Sequence, residues 1–336
     1  MLSWRYRMPL SFAWSTPGAA LLVAAQATTG DFSAAVGAFI VCGVLIVVTG
    51  LWPALGRTIT RIPRPIASAM LAGILFPICL APVTASVELP LLALPIVIVW
   101  LVVHRLAQRW AVPAAMLVTA IVVGASAGAG WLGGDVVAPQ LSFVAPTFDP
   151  LVIVSLGLPL FVVTMAGQNV PGFAVLSTFG FPPPRHAPIL VGSGLLSSAG
   201  ALFGGHAINL AAITAAIMAG PDSHPDRDRR WVAAVAGGAF YLVLGLGAGL
   251  ATALVSASPP ILITAVAGLA LLGAFVSAVT AALENPSERL VAVITFLVVA
   301  SGVVIGGIGS AFWGLVVGGI ALAWLGPRRR RAHADS

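Results

Sequence analysis

Apolar residues run along this chain in blocks about one membrane thickness long, separated by short charged or proline-rich breaks. A helix needs roughly 20 apolar residues to cross the hydrocarbon core. Twelve segments approach or reach that length, at about 9–27, 33–52, 66–83, 89–103, 111–132, 150–180, 187–203, 206–220, 231–256, 260–282, 290–306 and 308–325. The last two are one uninterrupted stretch, which as a single helix would be roughly 54 Å long against a core of about 30 Å. Gly306-Gly307 and Gly309 offer a place to reverse, so the stretch reads as a tight helical hairpin. The pattern predicts an all-α polytopic membrane protein of about twelve spans.

Composition agrees. Of 336 residues, 59% are apolar and 8% charged, where a soluble domain carries about 25% charged. Mean hydropathy is +1.06. Alternating the chain across a membrane from a cytoplasmic start puts every arginine on one side: Arg5, Arg7, Arg57, Arg61, Arg64, Arg105, Arg109, Arg185, Arg227, Arg229, Arg230, Arg289 and the run Arg328 to Arg331. The opposite loops carry Asp31, Glu88, Asp135 and Asp149. This is the positive-inside pattern, and it predicts a bacterial cytoplasmic (inner) membrane protein with both termini cytoplasmic. The final arginine run reads as a cytoplasmic anchor or, more sharply, as an anionic-lipid site.

The net charge of +6 does not indicate nucleic acid, because no span sets arginine beside stacking aromatics. Cys42 and Cys79 lie in apolar runs without metal-ligand or disulfide spacing, so no cofactor and no metal are expected. No cleavable signal pattern follows Met1–Pro9.

Two segments break the helical pattern. One contains Trp14-Ser15-Thr16-Pro17-Gly18-Ala19-Ala20-Leu21; the other contains Gly204-Gly205-His206-Ala207-Ile208-Asn209-Leu210 before Ala211–Thr214. Gly, Pro and hydroxyls ahead of small apolar residues are helix-start signals. Inside a span they imply a helix that begins near the midplane after irregular backbone, which is tolerated only where it lines a cavity or is buried in protein. The two would run antiparallel, as an inverted repeat requires, and their helix N-termini would converge with donors suited to a carboxylate. A simple packing kink is the plainer reading of either segment alone. The sixth segment adds Gln168 and Asn169 mid-span, followed by Pro171-Gly172. Buried amides must be paired; these could bind substrate, satisfy freed backbone, or join helices.

On these residues the chain resembles the benzoate–proton symporter family, often called BenE. The motifs are Arg5-Tyr6-Arg7-Met8-Pro9 running into Ala13-Trp14-Ser15-Thr16-Pro17-Gly18-Ala19-Ala20-Leu21-Leu22, then Met165-Ala166-Gly167-Gln168-Asn169-Val170-Pro171-Gly172, then Asn209-Leu210-Ala211-Ala212-Ile213-Thr214-Ala215-Ala216-Ile217. The resemblance covers the whole chain. It implies a fold similar to uracil-permease and sulfate-permease-type carriers, with fourteen spans in two inverted repeats of seven, core and gate domains, and half-strand, half-helix spans near 12–27 and 203–220. It makes the first, sixth and eighth segments the family's third, eighth and tenth spans. Residues 1–132 then form an incomplete first repeat of five spans and 150–325 a complete second repeat of seven, with 326–336 an arginine-rich cytoplasmic tail. Two spans fewer than the family pattern implies a truncated or misassigned start.

The implied function is proton-coupled uptake of benzoate or a similar aromatic carboxylate, without enzymatic chemistry. Carboxylates that nucleobase carriers of this fold use mid-span are replaced here by Gln168, Asn169 and His206, which suits an anion. The substrate-binding candidates are Ser15, Thr16, Pro17, Gly18, Gln168, Asn169, Gly172, Gly205, His206, Ile208 and Asn209. His206 is the candidate proton carrier, or a histidine that only bonds backbone at the broken helix. A homodimer is implied by the fold resemblance alone. The alternatives are a carrier of another anion or nucleobase, a transport-incompetent truncated product, an intramembrane enzyme, and a fold of two parallel six-span halves.

Overall fold

A computed structural model of the chain describes residues 1–16, 18–22, 31–52, 54, 63–127, 141–182 and 185–325. The expectations placed on Pro17, Arg57, Arg61, Asp135 and Arg328 to Arg331 lie outside the described residues.

The described chain is helical apart from two short strands. Its elements are α1 (Leu2–Tyr6), β1 (Phe12–Trp14), a helical turn at 18–22, α2 (Phe32–Leu51), α3 (Arg64–Glu88), α4 (Pro90–Ala107), α5 (Ala111–Ala127), α6 (Pro150–Thr178), α7 (His186–Ala201), β2 (Ile208–Leu210), α8 (Ala212–Ala219), α9 (Trp231–Leu246), α10 (Ala248–Ala257), α11 (Pro260–Leu283), α12 (Arg289–Ala300) and α13 (Ser310–Leu325). Among the described residues, six helical stretches are long and apolar enough to cross a membrane: Phe32–Leu51, Arg64–Glu88, Pro90–Ser126, Pro150–Thr178, Arg227–Leu246 and Pro260–Leu283. The two irregular segments each fold as a strand followed by a short helix.

The last apolar stretch does reverse. Ile305 and Ile308 exchange backbone hydrogen bonds of 3.0 and 3.1 Å, and Gly306 and Gly307 between them both sit at positive φ, 61° and 81°. That is the requirement of a two-residue type I′ turn, and α12 and α13 pack against each other on either side of it.

Helices assemble in two groups. In one, α2 lies along α7; in the other, α3 lies along α11 and carries α12 and α13. The α2–α7 contact is a backbone approach through glycines: a methyl built on Gly194 would lie 2.6 Å from the Gly43 carbonyl oxygen. Helix α6 packs on both groups. It starts at Asp149, whose carboxylate accepts from the N–H groups of Leu151 and Val152, and it contains two π-helical stretches, Ile153–Gly157 and Met165–Asn169. Each stretch is followed two residues later by a proline, Pro159 and Pro171. An interior proline clashes with the carbonyl four residues back, which here belongs to Ser155 or Gly167, the middle residue of each stretch. The wider π turn makes room for both rings without ending the helix.

The strands pair antiparallel, with Phe12 opposite Leu210, Ala13 opposite Asn209 and Trp14 opposite Ile208. A two-stranded ribbon leaves one edge of each strand without a neighbour, and unpaired backbone cannot face hydrocarbon. Side chains close the β2 edge. Ser197 Oγ accepts from the Ile208 N–H at 2.8 Å, Asn169 Oδ1 from Leu210 at 2.9 Å, and Gln168 Oε1 from Ala212 at 3.2 Å. The alternate N–H groups of 208, 210 and 212 thus each find an oxygen on α6 or α7.

Arginine-bearing loops meet at one end. Arg109 contacts Asp222 at 3.3 Å, Arg227 donates to the Gly180 carbonyl at 3.0 Å, and Arg7 lies 4.5 Å over the Trp231 ring. At the other end, the Thr147 N–H bonds the Ser33 carbonyl at 3.0 Å, joining the loops of Asp149 and Asp31. Ser33's hydroxyl and N–H hold the Asp31 carboxyl below its ordinary value.

Two stability outcomes follow. Asn169→Ala strips the acceptor from a buried N–H and is expected to cost about 1–3 kcal/mol, read as a lower unfolding temperature of the detergent-solubilised protein. Gly194→Val drives a side chain into α2 and is expected to cost about 1–3 kcal/mol. Gly200→Ala, on the same helix with nothing within 4 Å of the added methyl, should leave that temperature unchanged or raise it.

Candidate functional site

A cavity of about 240 Å³ lies where the second π stretch of α6 and the start of α8 face α3 and α11. Its volume falls just under the roughly 300–1,000 Å³ of sites for drug-sized ligands, the scale of a single-ring molecule. Six alanines form much of the wall: Ala67, Ala166, Ala212, Ala274, Ala278 and Ala281. Leu71, Val170 and Pro171 extend the apolar lining.

Four polar side chains line the cavity, of which Ser277 already donates its hydroxyl to the Gly273 carbonyl at 2.9 Å. Gln168 spends its carbonyl oxygen on the Ala212 N–H, so its NH2 group, without an acceptor among the described residues, remains to donate. Ser68 contributes a hydroxyl, and Arg64 a guanidinium. Arg64 also borders an adjoining cavity of about 330 Å³ with Glu284 and Glu288, but among the described residues it forms no ion pair closer than 4.0 Å. Among the described residues no carboxylate lines the 240 Å³ cavity itself. Arginine, an amide donor and hydroxyls against an apolar wall are the chemistry that an anion with a hydrophobic body requires of a site.

The residues singled out in the sequence divide around this cavity, and Gln168 is the one among the ten described that lines it. Asn169 is fully buried, accepting from Leu210 and donating to Met165 Sδ at 3.2 Å. Ser15 is fully buried too: its hydroxyl lies 2.8 Å from that of Thr164 and accepts from the Gly18 N–H at 3.2 Å, starting the helical turn that Thr16 enters. Gly18 sits against Leu160, where a methyl would lie 2.5 Å from that side chain. Gly172 sits under Leu210, 2.9 Å from where its own methyl would be. Gly205 closes the turn after α7 by bonding the Gly200 carbonyl at 2.9 Å. Ile208 is held by Ser197. Asn209 is completely buried with no hydrogen-bond partner for either amide atom among the described residues.

His206 lies beyond the opposite end of β2 from Ala212, with ring centroids 6.2 Å from Trp14 and 6.4 Å from Phe39. It therefore borders the strand pair rather than the cavity.

Arg64 is the residue the sequence reading passed over, because a loop arginine reads as an orientation signal. A better signal was present. Arg64 is the first residue of a 25-residue helix, between Pro63 and Pro65, and a cation at a helix N-terminus opposes the helix dipole. A charge placed against the dipole needs another use.

Comparison with known proteins bears on this geometry. A family model described as BenE, benzoate membrane transport protein, matches residues 1–324. The chain is 42% identical over 323 residues to inner membrane protein YdcO of Escherichia coli (strain K12), covering 94% of this chain and 80% of that protein. It is 36% identical over 328 residues to the benzoate membrane transport protein of Acinetobacter baylyi (strain ATCC 33305 / BD413 / ADP1), covering 95% and 81%. With the match spanning both irregular segments and every element that lines the cavity, the chain belongs to the BenE family of membrane transport proteins.

Proposed function

We propose that the chain imports benzoate or a similar single-ring aromatic carboxylate across the bacterial inner membrane, coupled to protons. The observation that carries this reading is the cavity between α6, α8, α3 and α11: Arg64, the Gln168 NH2 and the Ser68 hydroxyl can take a carboxylate while alanine and leucine take the ring. The name of the Acinetobacter relative supports the substrate class. Antiparallel pairing of β1 with β2 supports reading 1–132 and 150–325 as oppositely oriented repeats. The gathering of arginine loops at one end supports a cytoplasmic position for that end and for both termini, which makes the cavity at Arg64 the inward-facing one.

In this reading the group of α2, α6, α7 and the strand pair moves against the α3–α11 group, and the carboxylate is held at their boundary. Two polar groups off the cavity, Asn209 buried and His206 half-buried, have parts in the cycle. The unpartnered amide of Asn209 takes a hydrogen bond in another state of the cycle, and His206 carries the proton at the far end of β2.

Labelled benzoate uptake into proteoliposomes tests this. Uptake should rise with an inward proton gradient and fall with unlabelled benzoate but not with uracil or sulfate. Arg64→Gln and Gln168→Ala should each raise KM by about tenfold or more, the cost of a charge-assisted hydrogen bond of roughly 1.5–3 kcal/mol; unchanged KM in both would reject the cavity as the site. His206→Ala should retain benzoate exchange and lose stimulation by the gradient, and full stimulation in that variant would remove His206 from the coupling.

A further inference from the structure

The first π stretch of α6 opens onto a cavity of its own. About 330 Å³ in volume, it is lined by Leu21, Gly73, Ser155, Ser301, Gly309 and Ser310 among others, at the end of the molecule away from the arginine loops. Ser155 is the middle residue of that stretch and is 2% exposed, and its hydroxyl has no hydrogen-bond partner among the described residues. A buried hydroxyl left unpaired is costly, so it marks a place where a partner belongs.

A second feature of the same cavity indicates the sign of that partner. The 16-residue helix α13 begins there, at Ser310, just after Gly309. Phe312 turns its N–H back to the Gly309 carbonyl at 3.2 Å, but the N–H groups of Ser310 and Ala311 have no acceptor among the described residues. Free N–H groups and the positive end of the helix dipole attract an anion. Ser155 adjoins this helix start: its carbonyl oxygen is 4.0 Å from where a methyl on Gly309 would sit. Among the described residues no acidic or basic side chain lines the cavity, and Leu21, Ile74, Pro77 and Val299 make much of the remaining wall apolar.

Helix α3 lines both cavities, from Arg64 to Leu71 in one and from Gly73 to Pro77 in the other. Leu71 and Gly73 are separated by about 3 Å of helix rise. The two chambers are therefore neighbours along one helix.

Resting on the transport reading above, we propose that this chamber is a second site for the same aromatic carboxylate, an outer port in which the carboxylate is held by Ser155 and the α13 N-terminus before it reaches the Arg64 chamber. It binds by helix-end N–H groups and a hydroxyl where the inner site uses a guanidinium, so it holds the anion more weakly and releases it inward.

Ser155→Cys in a Cys42→Ala, Cys79→Ala background tests the port. A membrane-impermeant sulfonated methanethiosulfonate is applied to proteoliposomes of known orientation, and benzoate uptake by the same variant reports that it is folded. Modification is expected from the face opposite the arginine loops. Benzoate should slow it with a half-protecting concentration above the KM for uptake, reaching about tenfold at about ten times that concentration, as simple occupancy requires, and should still do so when Arg64→Gln is added. Ser155→Ala should raise the KM for uptake from that face about threefold to tenfold and leave the KM from the other face unchanged. Modification that benzoate does not slow in a transporting Ser155→Cys protein, labelling from the arginine face alone, or an unaltered KM in Ser155→Ala would each overturn the port and leave the transport reading standing. Absence of benzoate uptake by the unmodified chain would remove the transport reading and the port with it.

Discussion

Backbone hydrogen bonding away from water constrains the whole arrangement. A strand in a membrane interior must pair every N–H and C=O, and a ribbon of two strands leaves edges that lipid cannot satisfy. This chain closes the β2 edge with oxygens from Ser197 and Asn169, and continues the same alternate spacing with Gln168 on the first N–H of α8. The spacing of those oxygens follows the two-residue repeat of the strand. Because Gln168 is tied down by its oxygen, its nitrogen is held toward the cavity. The same contact that makes the strand tolerable in the membrane thus orients a donor for a ligand.

Helix α6 solves a related problem twice. Each of its two interior prolines, Pro159 and Pro171, removes an N–H and crowds a carbonyl one turn back, and each is preceded by a π stretch that widens the turn. The two stretches lie twelve residues apart, as do the two prolines, and each stretch abuts a cavity. The first stretch also packs against α2 and α13 and the second against α3 and β2, so each widened turn is at once a packing surface and the border of a cavity.

Much of this was legible in the residues. Apolar blocks located most of the helices, although block 231–256 holds two helices, α9 and α10, and α12 ends at Ala300, six residues before its block does; the Gly306-Gly307 pair located the hairpin, and Gly, Pro and hydroxyls before small residues located both strand–helix segments. The amides at 168 and 169 were recognised as needing partners, with backbone pairing among the alternatives, and backbone is where their oxygens went. Less visible was which backbone: the bonds of Asn169 and Gln168 span 41 and 44 residues, and no local pattern encodes a contact at that range. Arg64 and Ser155 were hidden for different reasons. An arginine at a span end has an ordinary topological explanation, and a serine in a helix ordinarily bonds its own backbone, as Thr49, Ser86 and Thr119 do here. Only the three-dimensional environment shows that Arg64 lines a cavity and that the Ser155 hydroxyl is unspent.

The alanine wall of the Arg64 chamber has a thermodynamic consequence. Alanine has no rotamers, so a ligand settling against Ala67, Ala166, Ala212, Ala274, Ala278 and Ala281 freezes almost no side-chain motion, where long or flexible residues would give up as much as roughly 1.5–2 kcal/mol each. The dimensions of the chamber are then set by the positions of four helices and not by adaptable side chains. In the proposed role such a receptor would discriminate by size, since alanine cannot repack around a bulkier ring. It also changes shape only when whole helices move, so a change in affinity and a change in access become the same event.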